Sequence, residues 1–120
     1  MNDMTYEEYQ RFASAIGPSS EGCPLSALLA TVQGKWTLRV LFELSKRDQM
    51  RFGELKRQIP AVTNTVLTAT LRSLEEGGLV TRTQFNEIPP YVEYSLTEAG
   101  KDMYPVFIAL LDWAEKHVVR

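Results

Sequence analysis

A mainly α chain with a small β component (α+β) is what this sequence predicts, on three observations. Phe52, Leu55 and Ile59 recur at i, i+3 and i+7, the stripe of a short amphipathic helix, with Glu54, Lys56 and Arg57 off it. Pro60 cannot continue that helix, and Thr63 or Asn64 can cap a second one, which closes at Glu76-Gly77-Gly78 with a left-handed glycine. Period-two alternation then appears on both sides of Glu87-Ile88-Pro89-Pro90: Leu79, Thr81, Thr83 and Phe85 share one side, Val80, Arg82 and Gln84 the other, and Val92, Tyr94 and Leu96 share a face on the return. Helix, turn, helix and hairpin in that order are the parts of a winged helix-turn-helix, a DNA-reading unit, over residues 52–96.

The remaining elements frame this unit. Thr5 with Glu8 has capping-box spacing, and Tyr6, Tyr9, Ala13 and Ile16 follow at helical intervals, so a first helix over about 5–16 ends at Gly17-Pro18. Residues 17–22 read as a loop. Cys23-Pro24 opens a second helix with proline at its first position, and Leu25, Leu28, Leu29 and Val32 form its stripe. Gly34 interrupts, and residues 36–46 form a third helix, apolar nearly all round through Trp36, Leu38, Val40, Leu41, Phe42 and Leu44; such a helix is expected to be central and buried. Asp48-Gln49 is a turn, and Met50-Arg51 a short strand beside the wing. Thr97 caps a last helical region over 98–119, which Pro105 divides or kinks. Its apolar residues cover more than one face, an aggregation liability in a monomer, so the terminal helices are expected to dimerise through Tyr6, Tyr9, Phe107, Leu110, Leu111, Trp113 and Val118.

At about 100° per residue, the second reading helix places Val66, Leu67, Thr70, Leu71 and Leu74 on a core arc, and Asn64, Thr65, Thr68, Ala69, Arg72 and Ser73 on the opposite one. The outer arc is short, polar and carries one cation. Side chains of that size approach base edges closely, and Arg72 can fork onto guanine or a phosphate; a solvated face touching only water is the bland alternative.

A chain of 120 residues fits one domain over 1–120 with a modest core. No apolar run approaches the roughly 20 residues of a membrane span, no signal peptide precedes the first helix, and a single cysteine makes no internal disulfide, so the expected location is the bacterial cytoplasm, on the nucleoid. Net charge is −2, yet residues 39–82 hold eight cations against five acids, a basic middle between acidic ends. That small excess makes two subunits acting together the expected binding form.

Catalysis finds little support. His117 is the only histidine and has no neighbours at metal-ligand spacing, and no phosphate loop or nucleophile elbow is present, so neither enzyme activity, cofactor nor metal is expected. Cys23 sits at a helix N-terminus, where the dipole favours a thiolate. It is read either as a redox or electrophile sensor or as a small capping hydrophobe.

Cys23-Pro24, Gly34-Lys35-Trp36-Thr37, Arg51-Phe52-Gly53-Glu54-Leu55, Leu71-Arg72-Ser73-Leu74-Glu75, Gly78-Leu79-Val80-Thr81-Arg82, Pro89-Pro90-Tyr91-Val92-Glu93-Tyr94 and Leu96-Thr97-Glu98-Ala99-Gly100 together resemble the HxlR family of bacterial regulators, continuously over about 23–113. The resemblance implies a homodimeric winged helix-turn-helix protein that binds a palindromic operator in double-stranded DNA and controls transcription. It implies that Asn64, Thr65 and Thr68 enter the major groove, that Arg82 and Gln84 lie in the wing, and that Arg51 suits a phosphate contact; Lys35 is read either as another phosphate contact or as a surface cation flanking the core aromatic Trp36. Relatives often carry Lys at the place of Thr65, and Gln and Arg at those of Ala69 and Thr70, so the reading helix here is less basic. In this context Cys23 resembles the cysteine with which many relatives sense oxidants or electrophiles. A repressor is expected, since a compact dimer on an operator blocks polymerase; a small-molecule effector stays open. The alternative from another class is a non-enzymatic winged-helix protein-interaction module.

Overall fold

The computed structural model describes residues 3–17 and 23–119. The chain divides into two compact units, Met1–Gln33 and Gly34–Arg120, and the reading unit falls wholly within the second.

The first unit holds α1 (Tyr6–Ser14) and α2 (Pro24–Thr31). Thr5 caps α1 by accepting a hydrogen bond from the Glu8 N–H at 3.2 Å, and Cys23 is the N-cap of α2, with Pro24 at its first position. The expected loop at 17–22 lies, apart from Gly17, outside the described residues.

The second unit runs α3 (Thr37–Leu44), β1 (Met50–Arg51), α4 (Phe52–Gln58), α5 (Asn64–Glu76), β2 (Val80–Phe85), β3 (Tyr91–Leu96), α6 (Glu98–Lys101) and α7 (Tyr104–His117). Its core is the place where three stripes meet: Val40, Leu41 and Leu44 of α3, Leu55 with Ile59 at the end of α4, and Leu67, Leu71 and Leu74 of α5, all essentially inaccessible to solvent. Met50, Val62, Val80, Leu96 and Phe107 complete it. The turn between α4 and α5 contains Pro60, and Thr63 caps α5 by accepting from the Val66 N–H at 3.2 Å. At the other end Gly78, with φ of 78°, supplies the left-handed residue; Gly77 is still right-handed.

The sheet is antiparallel in the order β1-β3-β2. Its register pairs Phe85 with Tyr91, Thr83 with Glu93, Arg82 with Tyr94 and Val80 with Leu96, and places Met50 and Arg51 opposite Tyr94 and Glu93. Strand alternation therefore puts Met50, Val80, Arg82, Tyr94 and Leu96 on one face, and Arg51, Thr83, Phe85, Tyr91 and Glu93 on the other. Thr97 links this hairpin to both neighbouring helices: its hydroxyl donates to the Gly78 carbonyl at 2.7 Å and accepts from the Gly100 N–H. Gly100 is pressed so closely against the Leu79 carbonyl that any β-carbon there would collide with backbone.

Three expectations change. The third helix is one-sided: Leu38 lies 39% exposed, because the buried line runs through Thr37, Val40, Leu41 and Leu44, and position 38 sits off it. Glu43, not an apolar residue, takes the flank of that line, 1% exposed, with Oε2 accepting from Arg39 Nε at 2.8 Å and Oε1 lying 2.7 Å from Lys46 Nζ. Val66 is exposed, since it is offset by about 100° from Leu67 in the first turn of α5. Phe107 is buried against Phe42, with ring centroids 5.9 Å apart, so it belongs to the core of its own chain and leaves the predicted interface set. The last helical region is divided, as expected, into two helices, α6 and α7, with Pro105 in the first turn of α7, where its missing N–H is harmless.

Candidate nucleic-acid interface

The outward face of α5 is a run of small polar groups on a rigid base. Because Leu67, Leu71 and Leu74 anchor one side, the helix must present Asn64, Thr65, Thr68, Ala69 and Arg72 on the other, and all five are exposed. They line a shallow recess of about 420 Å³. A deeper recess of about 340 Å³ joins the helix to the sheet; Thr68, Arg72 and Glu75 form its helical wall, Arg82 and Tyr94 its strand wall. Arg72 and Arg82, ten residues apart in sequence, thus converge on one concavity beside the polar face.

The cations of the basic middle segment sort into two groups. Arg39 bonds Glu43 and the Gln58 carbonyl, and Lys46 also pairs with Glu43. Arg47 pairs with Glu54 at 3.3 Å, and Lys56 donates to the Pro60 carbonyl. Arg51 stacks on the Tyr91 ring at 3.6 Å. Arg57, Arg72 and Arg82 remain, exposed and with no hydrogen bond, ion pair or ring contact among the described residues. Burial alone would raise the Glu43 carboxyl, but hydrogen bonds and charge from Lys46 and Arg39 outweigh it and hold it below the ordinary range. Structural cations are consumed holding α3 and α4; the unengaged ones face outward.

The structure brings together Asn64, Thr65, Thr68, Ala69, Arg72 and Arg82 around the two recesses, which Gln84, Lys35 and Arg51 do not line. Gln84 shares the sheet face of Arg82, further along β2, and its amide donates to Asn86 Oδ1 at 3.3 Å. Lys35 sits over the Trp36 ring at 5.2 Å. Arg51 lies on the opposite sheet face from Arg82. Sequence reasoning missed Tyr94 and Glu75 as neighbours of the two arginines, although the period-two face shared by positions 82 and 94 was a usable signal once the strands were paired. It also missed Arg57, which looked like any solvated helix cation.

Two further groups belong to the predicted set. Cys23 is half-buried at the start of α2, and the Ser26 backbone N–H and hydroxyl lower its thiol pKa, more than burial raises it. The groove beside it, about 640 Å³, is lined by Tyr9, Phe12, Ile16, Leu25 and Leu28. On α7, Leu110, Leu111 and Trp113 are each about half exposed, and Val118 follows at 60%. Tyr6 and Tyr9 of α1 are likewise exposed. His117 lies in the last turn of α7 against Trp113. Among the described residues no three His, Cys, Asp or Glu side chains gather at metal-binding distance, and no helix is long and apolar enough to cross a membrane.

A polar reading helix set behind a helix-turn, with a hairpin wing alongside, defines the class: a winged helix-turn-helix regulator. Residues 31–120 match the profile of the HxlR-like helix-turn-helix family, and the chain belongs to it. It is 39% identical over 102 residues to the HTH-type transcriptional regulator YybR of Bacillus subtilis (strain 168), covering 85% of this chain and 81% of that one. Among solved structures it is similar to a MarR-family transcriptional regulator from Porphyromonas gingivalis W83, with TM-score 0.80, 35% identity, and 85% and 99% of the two chains covered. It is also similar to the redox regulator HypR in its oxidised form, with TM-score 0.74, 35% identity, and 82% and 100% covered. The chain is a helix-turn-helix transcriptional regulator, and this family is not a class of enzymes.

Proposed function

We propose that the protein acts as a homodimeric repressor that binds a palindromic operator. The observation that carries this is the convergence of Arg72 and Arg82, both without an internal partner, on the recess beside the polar face of α5. Asn64, Thr65 and Thr68 read base edges in the major groove, with Ala69 leaving room for close approach. Arg72 and Arg82 neutralise phosphates, and Gln84 and Lys35 contribute at the periphery. The exposed apolar faces of α1 and α7 are covered by a second copy of the chain, through Tyr6, Tyr9, Leu110, Leu111, Trp113 and Val118. Residues 1–120 act as one regulatory domain in the cytoplasm.

A gel-shift against palindromic genomic fragments, titrated with salt, tests this reading. Specific binding with the two half-sites about one helical turn, roughly 34 Å, apart supports it. No specific binding at low salt refutes it and favours a winged-helix docking module.

A second, compatible reading makes Cys23 a sensor of oxidants or electrophiles. Its lowered thiol pKa supports this, as does the likeness to HypR, whose structure is described as that of a redox regulator. With one cysteine per chain, a disulfide from oxidation joins Cys23 either to the same residue of a second subunit or to a small thiol. Operator binding of the Cys23→Ser variant with and without diamide decides it: loss of the oxidant response supports the sensor, an unchanged response removes it.

A further inference from the structure

Arg51 is an exposed cation next to the helix-turn-helix, and its charge alone suggests a DNA phosphate as its partner. Its surroundings point elsewhere. It ends β1 and is the N-cap of α4, where its backbone N–H donates to Glu54 Oε1 at 2.9 Å. Its Cα is in register with Glu93, and its guanidinium reaches along β3 to lie 3.6 Å from the centroid of the Tyr91 ring. The other partner of Tyr91 is Phe85, directly across the hairpin, with centroids 4.8 Å apart and planes 14° from parallel. A guanidinium and two rings therefore form a continuous contact across all three strands, on the sheet face opposite Arg82.

Position matters as much as chemistry. Phe85 and Tyr91 are the last paired residues before the wing turn, and β1 is only two residues long. Few ladder hydrogen bonds can therefore hold the wing to the helix-turn-helix, and an isolated two-stranded hairpin is marginal in water. Arg51 supplies a tie at that point: its backbone belongs to α4 and its side chain to the wing. A planar guanidinium suits a ring face in a way an ammonium does not.

We infer that Arg51 is a positioning residue that clamps the wing through Tyr91 and Phe85, fixing where Arg82 stands relative to α5, and that it is not a phosphate contact. This role rests on the wing being a DNA-contacting element, as proposed above. The clamp couples the first reading helix to the wing, so its loss weakens DNA binding without removing a counterion-releasing contact.

The test compares Arg51→Ala, Arg51→Lys, Tyr91→Leu and the double variant Arg51→Ala/Tyr91→Leu in the full chain. Operator affinity is measured as a function of salt, and amide hydrogen exchange of Phe85 and Tyr91 is measured in the free protein. Expected is a loss of roughly three- to fivefold in affinity for both Arg51 variants, the scale of an exposed cation–π contact. The salt slope stays that of the wild type, the double variant is no worse than either single one, and exchange at Phe85 and Tyr91 rises about threefold. A phosphate contact predicts otherwise: Arg51→Lys binds like the wild type, and Arg51→Ala shallows the slope by about 1.8 per dimer, at about 0.9 for each phosphate. Either result, or unchanged exchange, overturns the clamp. Should the wild type itself show no salt-dependent DNA binding, the DNA reading fails, and the exchange measurement still decides whether the clamp exists.

Discussion

Helices α5 and α7 are nearly equal in length, 13 and 14 residues, and nearly opposite in how they use their side chains. α5 buries Leu67, Leu71 and Leu74 completely and turns Asn64, Thr65, Thr68 and Arg72 outward. α7 buries Phe107 and leaves Ile108, Leu110, Leu111 and Trp113 about half exposed or more. Each outward face indicates what covers it. Hydroxyls, an amide and an unpartnered guanidinium suit a polyanion that can be hydrogen-bonded, whereas aliphatic and indole surface gains only by leaving water. On the proposed function, α5 is complete within its chain and awaits DNA, and α7 awaits a second subunit.

The comparison can be broken at its foundation. Leu71→Ala removes the centre of the stripe that orients α5 and should destabilise the fold by about 2–5 kcal/mol, seen as a lower urea midpoint. A change under ~1 kcal/mol would mean that α5 is not anchored by this line. On α7 the corresponding test is Leu111→Glu. Monomer stability should change little at this half-exposed position. Sedimentation should show a dimer becoming a monomer, with operator binding falling as well. A dimer that persists would assign dimerisation elsewhere.

Smaller effects sharpen the contrast within α5 itself. Thr68→Ala should alter which base is preferred at one operator position, by roughly 1–3 kcal/mol of discrimination, measured by selection from randomised half-sites. Thr63→Ala removes the cap of the reading helix and should cost about 1 kcal/mol of stability without changing that preference. The smallest effect concerns pH. The Glu43 carboxyl is held below its ordinary pKa in the folded protein, so its contribution is present above the unfolded value and is lost as pH falls through the folded one. Urea midpoints measured from neutral pH into the acid range should therefore start lower for Glu43→Gln than for the wild type and fall less steeply, and the two curves should converge below the ordinary carboxylate range.

What was legible in the sequence follows from the same contrast. Stripes such as Phe52, Leu55, Ile59, the period-two hairpin, Pro60 and Thr97 encode local structure, and β3 begins and ends where its alternation does. Contacts made across elements were not legible. The Arg39–Glu43 and Glu43–Lys46 pairs have local helix spacings, but nothing in the order of residues says that Glu43 would be buried, or that Arg51 would lie on Tyr91, because both depend on which helix or strand becomes a neighbour. The misread positions, Leu38, Val66 and Phe107, share one cause: hydrophobicity shows that a residue is better covered but not what covers it. For the proposed DNA-facing set the limit was charge. A net excess of three cations over residues 39–82 does not reveal that most of the eight are internally engaged.

The salt dependence of operator binding by Arg72→Ala/Arg82→Ala reads out whether these two arginines meet phosphates. Two phosphate contacts per subunit, in a two-fold dimer, should shallow the slope of log affinity against log salt by about 3.6, at about 0.9 for each phosphate released. Binding that weakens by that slope change, while the double variant keeps the wild-type urea midpoint and dimer mass, is the predicted result. An unchanged slope would contradict the account, for it would mean that these two arginines do not face DNA.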